Sequence, residues 1–433
     1  MAIQSATNQL AHLITEYTHT VRDPLWRDIG LSAGFRELFM SEPMQKLNRI
    51  RQLGPAYLVY PGAVHTRLAH SLGVFHVTRL MLISLLTRAQ RFSLSDEGLR
   101  AVLVAAMLHD MGHFPYAHAL KDSVSATHEH LGAQLIASDD RLRYIIEHQI
   151  GTSTKTVCQI IDTSLPCDNA ETAFLRTMLS GTLDPDKLDY LSRDALFCGI
   201  PYGMQDASYI IRHLMVTEDE QRIAIPAQAI GSVEHLLFAK YTMYRNVYWH
   251  HGTRSATAMI KKAVRLALAD GLFSEHDLYD QDDESFVQLF STHEHSVPER
   301  LMRSVRNNDL LVIRATLPCN DTQQLHQLYA DADIRASYEQ ELHRILARHS
   351  TGLGEHDVII DIPEDVSFES DIPVVGEDGT VRPFSQAGEL FSKAVVNALT
   401  GSLRKIQLYT KVEVDPYTAQ SALKGLLIDE SPS

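Results

Sequence analysis

Apolar residues recur at helical spacing through most of the first 270 residues. The predicted helices span residues 65–90, 95–109, 128–138, 142–148, 187–197 and 232–266. Ser95 is a typical N-cap for one of them, and Gly199 follows the last apolar residue of another. Residues 1–40 show mixed helical periodicity. Residues 151–170 are polar and have no continuous apolar pattern, which predicts an irregular segment on the surface. The pattern therefore predicts a helical core.

Alternation of apolar and polar residues predicts a few strands. Within the core they are a short β-rich stretch at 57–60 and a hairpin at 215–225. Beyond residue 270 helices continue to 347, and strands follow at 358–362, 373–381 and 406–414. The predicted fold class is mainly α. An all-helical core with a small β-hairpin fills residues 1–270, and a C-terminal α+β module with an expected role in oligomerisation or regulation fills 271–433.

Length, charge and cysteine content narrow the class of protein. At 433 residues the chain exceeds a single typical core, and its net charge of −15 disfavours nucleic acid as a partner across the whole surface. The four cysteines fit neither a zinc motif nor a disulfide framework, which predicts a reducing cytoplasm. The apolar run at 74–86 is too short to span a bilayer, and no signal-peptide pattern opens the chain. We therefore expect a cytoplasmic protein without a membrane segment.

One segment contains several side chains that could bind a metal or catalyse a reaction. Residues 108–118 read LHDMGHFPYAH and place three histidines and a carboxylate within ten residues. His109 and Asp110 are adjacent and cannot complete the coordination of an ion alone, so further ligands must come from elsewhere. His70 and Asp186 are the candidates. Two imidazoles and two carboxylates suit one divalent ion per subunit, with Mg, Mn, Fe and Zn all tolerated.

These four positions carry a resemblance to a known family. The order H…HD…D, with HDxGHxPxxHA at its centre, resembles the HD-domain phosphohydrolases, and more closely their deoxynucleoside triphosphate triphosphohydrolase (dNTPase) branch. Further matching segments keep the family's order and cover roughly residues 40–255: they are 52–54, 60–63, 67–73, 127–129, 186–194 and 248–250. A bare HD dipeptide is weak evidence, whereas this ordered set is specific.

The resemblance implies catalytic roles for three more histidines. His118 is the candidate general acid at the leaving 5′ oxygen, because an imidazole can take and give a proton near neutral pH. His113 would orient His118 or contact phosphate, and His128 would hold the group in place or bind phosphate. The family commonly has an acidic residue three positions after His118, where this chain has Lys121. The orienting hydrogen bond is then expected from the next residue, Asp122, or from Glu129, or is lost.

The resemblance also implies a set of substrate contacts. Arg67 lies one helical turn before His70 and would contact the α-phosphate. Lys187 and Tyr190 follow Asp186, and Lys240 matches a basic residue for the phosphate tail. Gln52, Leu53 and Asp194 match positions that hold the sugar, with Asp194 accepting a hydrogen bond from the 3′-hydroxyl. Tyr248 matches an aromatic that crowds the 2′ carbon and so favours deoxyribose.

The predicted function is metal-dependent hydrolysis of deoxynucleoside triphosphates (dNTPs) to deoxynucleoside and inorganic triphosphate. One alternative is that the same site acts on another phosphoester, such as a nucleoside monophosphate, cyclic nucleotide or oligonucleotide. Another is a nucleotide sensor without turnover. The resemblance also implies a homo-oligomer, a dimer, tetramer or larger assembly, although residues that build regulatory nucleotide sites in the animal branch are not clearly matched, as at Asn48.

Overall fold

The computed structural model describes residues 2–427 apart from 89–92, 218–221, 320–330, 365, 367, 369–371 and 389. The helices α1 to α11 are Ala2–Thr15, Ala33–Phe39, Glu42–Lys46, Arg67–Arg88, Asp96–Leu108, Ala117–Leu120, His128–Ser138, Asp140–Tyr144, Thr154–Ile161, Ala170–Ser180 and Pro185–Cys198. The helices α12 to α21 are Ala207–His213, Ile230–Met243, His251–Ala269, His276–Tyr279, Asp283–Ser291, Val297–Arg306, Ala332–Leu346, Phe384–Ala387, Lys393–Leu403 and Pro416–Leu427. The mainly α prediction is confirmed.

The strands form three small sheets. In chain order β1 to β9 are His19–Asp23, Arg27–Leu31, Met215–Val216, Ile223–Pro226, Val312–Pro318, Val358–Asp361, Pro373–Val375, Val381–Pro383 and Lys405–Thr410. β1 and β2 are an antiparallel hairpin, the second sheet has the order β3-β4-β7-β8, and the third has the order β5-β9-β6. β4 pairs in parallel with β7, so the predicted hairpin is extended by strands from the C-terminal part of the chain.

Helix α4 is the centre of the main hydrophobic core. It packs against α5 and α11, and residues such as Phe75, Met81 and Leu85 are fully buried. The helix is long and apolar enough to cross a membrane by length and composition, but 67% of its apolar window is buried inside the protein. Burial on this scale is what a central core helix requires.

A second hydrophobic cluster joins the two predicted domains. It combines the segment after Asp110 with the long helix α14 and with α16 and α17 beyond residue 270. Its fully buried members include Phe114, Leu120, Phe286 and Phe290. A third cluster lies between the β5-β9-β6 sheet, α18 and α21. The division at residue 270 stays a prediction, and the shared second cluster ties residues on its two sides together.

Several local predictions were wrong. Residues 57–60 are not a strand: Gly54–Leu58 is a 3-10 turn whose backbone is satisfied locally, so strand propensity there is overridden. The polar stretch 151–170 contains α9, whose apolar face is buried. The long helix predicted at 232–266 is interrupted by a π-helical turn, Tyr244–Tyr248. The tip of the hairpin at 218–221 and the predicted helix end at 89–90 lie outside the described residues.

The predicted helix caps are confirmed. The hydroxyl oxygen of Ser95 accepts a hydrogen bond from the backbone N–H of Gly98 at 2.9 Å. Gly199 ends α11 with φ +69°, in the left-handed region where glycine has no steric penalty. These two caps fix the ends of the helices that carry the candidate ligands.

Candidate functional site

Three elements bring the four predicted ligands together. His70 lies in the first turn of α4, His109 and Asp110 directly follow α5, and Asp186 lies in the first turn of α11. The Nε2 atom of His70 lies 2.8 Å from Oδ1 of Asp186. The Nε2 atom of His109 lies 3.3 Å from Oδ1 of Asp110 and 3.9 Å from Oδ1 of Asp186. The structure therefore brings all four together, and the 38% exposed side chain of Asp186 leaves the cluster open to solvent.

Both histidines turn their Nε2 atom toward this cluster. The Nδ1 atom of His109 lies 2.9 Å from the carbonyl oxygen of Ala106, which can only accept, so Nδ1 carries the proton. The Nδ1 atom of His70 lies 2.8 Å from the carboxylate of Asp189 and donates to it. Hydrogen bonds of this kind fix the tautomer of metal-binding histidines. The Nε2 of each imidazole is thereby aimed at the other ligands.

The charge state of the cluster fits a cation. Burial lowers the pKa of His70, but hydrogen bonds to Asp186 and Asp189 outweigh it and raise the pKa to about 10. Burial opposes ionisation of Asp110, but His113, His109 and Arg67 hold its pKa well below the usual range. Nε2 of His109 is buried and has no hydrogen-bond partner among the described residues. A divalent cation would neutralise the carboxylates and bind the unsatisfied imidazole nitrogen.

The three other histidines form a second cluster beside the first. The ring centroids of His113, His118 and His128 lie 3.9 to 5.1 Å apart. Burial is the main cause that lowers the pKa of His118 to about 3 and that of His128 to about 4, so both rings are neutral near pH 7. Gly112 makes this approach feasible, since a Cβ there would lie 2.0 Å from the carbonyl oxygen of His128.

The two carboxylates expected beside His118 have other partners. Nε2 of His118 lies 3.2 Å from Nε2 of His113, at hydrogen-bond distance. Asp122 instead pairs with Lys261 and Arg335. Glu129 lies 3.2 Å from His128. His113 is buried and His118 is exposed, so this contact places His113, rather than either carboxylate, beside the ring of His118.

A buried polar pair lies further along α11. The hydroxyl of Tyr248 donates to Oδ2 of Asp194 at 2.7 Å, and Nε2 of His65 lies 2.9 Å from Oδ1. The ring of Tyr190 lies 6.4 Å from that of Tyr248. Of the four residues predicted around the sugar, Asp194 and Tyr248 are joined by a direct bond. Leu53 packs on the main core, and the buried Oε1 of Gln52 has no partner in the part of the chain that the structure describes.

The three basic side chains predicted to bind phosphate differ in their burial and contacts. The guanidinium of Arg67 is buried and bonds to Asp110 at 2.8 Å, and its Nε has no partner among the residues that the structure describes. Lys187 pairs with Asp184 at 2.6 Å. Lys240 is 7% exposed and lies over the ring of Phe368. Arg67 is thus in direct contact with the candidate ligand cluster.

Two family models together match most of the chain. A model described as "HD domain" matches residues 67–165, and a model described as "HD associated region" matches residues 205–433, more than half of the sequence. The chain belongs to the HD-domain family. The predicted resemblance to HD phosphohydrolases is confirmed at this level. Asp186 and Asp194 lie between the two matched ranges.

Individual relatives agree with this assignment. An uncharacterized protein of Methanocaldococcus jannaschii is 34% identical over 285 residues, which are 65% of this chain and 57% of that one. The deoxynucleoside triphosphate triphosphohydrolase SAMHD1 of Homo sapiens is 23% identical over 288 residues, 60% of this chain and 46% of that one. The chain thus spans about half the length of these curated relatives. A phosphohydrolase of Bacteroides thetaiotaomicron has the same fold, with a TM-score of 0.72 at 23% identity, covering 91% of this chain and 100% of that one.

Buried residues behind the candidate ligands were missed by sequence reasoning. Asp189 is fully buried and bonds to His70, to Arg193 and, at 2.5 Å, to the indole N–H of Trp26. Arg193 also bonds to the buried Asp23 at 2.7 Å. The available signal was the spacing of Asp186 and Asp189, which places both on one face of a helix.

The close contact between α4 and Asp189 supports a first prediction. A Cβ at Gly73 would lie 1.9 Å from Oδ1 of Asp189 and 2.5 Å from Nη2 of Arg193. Gly73→Ala should therefore displace Asp189 from His70 and destabilise the fold by about 1–3 kcal/mol, as overpacking does. We expect a lower urea midpoint together with weaker Mn²⁺ binding in a calorimetric titration. The control is Gly231→Ala, where a Cβ meets nothing within 4 Å; equal stability and Mn²⁺ affinity in both variants would contradict the contact.

Proposed function

We propose that this HD phosphohydrolase cleaves dNTPs to deoxynucleoside and inorganic triphosphate. The observation that carries the proposal is the distribution of groups along α11. Asp186, in the ligand cluster, and Asp194, in the buried pair with Tyr248, are separated by eight residues, about 12 Å of helix. One helix therefore carries both a candidate phosphate end and a candidate hydroxyl-binding end.

His70, His109, Asp110 and Asp186 would hold one divalent ion. Such an ion polarises a phosphoryl group and supplies a nucleophilic water near neutral pH. Arg67 stabilises negative charge that grows on the α-phosphate, because its buried guanidinium is fixed by Asp110 and retains an unpartnered Nε. Asp189 and the Ala106 carbonyl hold the imidazoles in the tautomer that the ligand set needs.

His118 donates the proton that the leaving 5′ oxygen requires. In the free site its imidazole is neutral, because burial, His128 and Arg67 lower its pKa to about 3. The arriving polyphosphate adds negative charge nearby, which raises the pKa of a histidine. His118 then takes up a proton and transfers it to the 5′ oxygen as the P–O bond breaks. His113 orients His118, and His128 contacts phosphate.

The nucleoside end is held by α11 and the π-helical turn. Asp194 accepts a hydrogen bond from the 3′-hydroxyl, and the ring of Tyr248 occupies the space that a 2′-hydroxyl would need. Tyr190 and Gln52, with Leu53 behind them, complete the sugar side. Lys187 and Lys240 serve the phosphate tail, and both must exchange their present neighbours for phosphate to do so.

Tyr248→Phe tests the nucleoside end. The substitution removes the hydroxyl that donates to Asp194, so the carboxylate loses one of its two ordering bonds. A hydrogen bond to a charged group contributes about 1.5–3 kcal/mol, so KM for dNTP should rise roughly tenfold or more while Mn²⁺ affinity stays unchanged. Tyr244→Phe is the control, because it leaves both Asp194 bonds in place. A lower melting temperature with unchanged KM would limit Tyr248 to packing.

Product analysis tests the reaction. Purified protein is incubated with each dNTP and Mn²⁺ or Mg²⁺, and products are separated by ion-exchange chromatography. Deoxynucleoside and triphosphate in equal amounts support the proposal. Orthophosphate or pyrophosphate as the first product contradicts it, and tight nucleotide binding without turnover under every metal would favour the sensor.

A phosphomonoester is the second candidate substrate class. It is favoured by the engagement of Lys187 with Asp184 and by the burial of Lys240 under Phe368, since a monophosphate needs no tail site. The same chromatography with deoxynucleoside monophosphates, cyclic nucleotides and short oligonucleotides separates the candidates.

We also infer a homo-oligomer. Large hydrophobic side chains are exposed around the end of α11 and on α13, among them Leu196, Tyr202, Met204 and Phe238. Exposed apolar residues of this size favour an interface when they lie together. Sedimentation velocity at micromolar concentration should show a dimer or larger species; a monomer at that concentration would contradict the inference.

A further inference from the structure

The turn that carries His118 rests on a different cluster from the metal ligands. Leu108 and Met111, on either side of the HD pair, belong to the main core. Phe114 and Leu120, on either side of His118, belong to the second cluster, together with Phe286 of α16. The position of His118 relative to the ligands therefore depends on how the second cluster packs against the first.

Helix α6 has little structure of its own to hold this position. It has four residues, and the preceding Tyr116 has φ +62°, a left-handed conformation that a bulky residue adopts only when its surroundings impose it. The ring of Tyr116 packs edge-on against Phe286, 5.2 Å between centroids. Contacts from outside the helix thus determine where His118 lies.

Polar contacts tie the loop after α6 to the HD-associated region. The carboxylate of Asp122 lies 2.9 Å from Nζ of Lys261 on α14 and 3.3 Å from Nη2 of Arg335 on α18. Glu275 accepts two hydrogen bonds from Ser125, at 2.8 Å from its N–H and 2.7 Å from its hydroxyl. Lys121 pairs with Glu364. Three of these partners lie beyond residue 270.

The ion pair of Asp122 is the best shielded of these links. The side chains of Asp122, Lys261 and Arg335 are 24%, 15% and 11% exposed, whereas Lys121 is 57% exposed. Burial opposes ionisation of Asp122, but Lys261 and Arg335 outweigh it and hold its pKa below the usual range. A partly buried, two-partner ion pair is screened less by salt than a surface pair and can hold a loop in one position.

We propose that the HD-associated region positions His118 through Asp122, which Arg335 and Lys261 hold four residues after the histidine. All three are positioning residues, and the role rests on the proposed function only in that His118 acts in the reaction. A displacement of about 1 Å of a reacting group can cost roughly 100-fold in rate. The region would thus be an integral part of the active site.

The test compares Asp122→Ala, Arg335→Met and the double variant on the phosphoester that the wild-type protein cleaves fastest. We expect kcat to fall between about tenfold and 100-fold, with KM and Mn²⁺ affinity unchanged. The double variant should be no worse than the more impaired single variant, since both remove one link. Asp122→Glu should recover most of kcat. The matched control is Arg344→Met, which removes an exposed pair with Glu341 on the same helix.

A second readout keeps the test independent of turnover. The imidazole signals of His118, assigned in ¹H–¹⁵N spectra with His118→Gln, should shift in Asp122→Ala and Arg335→Met but not in Arg344→Met. The signals of His70 and His109 should stay in place. Unchanged His118 signals, or a fall in kcat that only follows lost Mn²⁺ affinity, would overturn the proposal. An unexpected product in the wild-type assay would overturn the proposed substrate and leave this comparison intact.

Discussion

Asp186→Asn is expected to lower turnover at least about a thousandfold, because a metal contributes several kcal/mol of transition-state stabilisation. Asp186 is the candidate ligand that α11 adds to His70 and to the pair that follows α5. An amide keeps the size of the carboxylate but removes the charge that a divalent cation requires. The measurement is initial rate at saturating Mn²⁺, together with Mn²⁺ binding by calorimetry.

The matched control for Asp186→Asn is Asp206→Asn. Asp206 caps α12 by accepting a hydrogen bond from the N–H of Tyr209, and asparagine caps a helix equally well. This control should retain wild-type turnover and Mn²⁺ affinity. Wild-type turnover by Asp186→Asn, at every Mn²⁺ concentration tried, would remove Asp186 from the site.

Arg193→Met is expected to cause the largest loss of stability. The guanidinium of Arg193 is completely buried, with two hydrogen bonds to Asp189 and one to Asp23. Methionine fills much of the volume but leaves two buried carboxylates without their cation. Breaking a buried ion pair in this way costs about 3–5 kcal/mol, which urea denaturation would detect as a lower midpoint.

Loss of Arg193 should also weaken the metal site. Asp189 holds Nδ1 of His70, and without Arg193 the pKa of the Asp189 carboxyl should rise because the main cause that lowers it is gone. We expect lower Mn²⁺ affinity in whatever fraction remains folded. Arg212→Met, at an exposed position in the last turn of α12, is the control and should change neither quantity. A midpoint equal to wild type in Arg193→Met would show that the buried pairs contribute little.

Sequence alone predicted the parts of the fold where local signals agree. Ser95 and Gly199 mark helix ends because capping is a property of a few neighbouring residues. The four candidate ligands were chosen because their residue types and order resemble a family pattern, and the structure places the four side chains together. The strand assigned to residues 57–60 failed because Gly54 and Pro55 favour a turn and a strand needs a partner that local sequence does not supply.

The remaining features depend on residues far apart in the chain. In the sequence Asp189 cannot be told from any other acidic residue on a helix. The folded chain buries it against α4 and the β1-β2 hairpin, and its partner Trp26 is 163 positions away. Asp122 lies next to the position where a partner for His118 was expected, yet it bonds to Arg335, 213 positions away. Tertiary contacts of this range decide which of several equivalent local partners a side chain takes.

Anomalous diffraction from crystals soaked in Mn²⁺ tests the central claim most directly. The account predicts one strong peak per chain within about 2.3 Å of Nε2 of His70, Nε2 of His109 and the carboxylates of Asp110 and Asp186. The contradicting result at saturating Mn²⁺ is a peak among His113, His118 and His128 and no peak between the four predicted ligands.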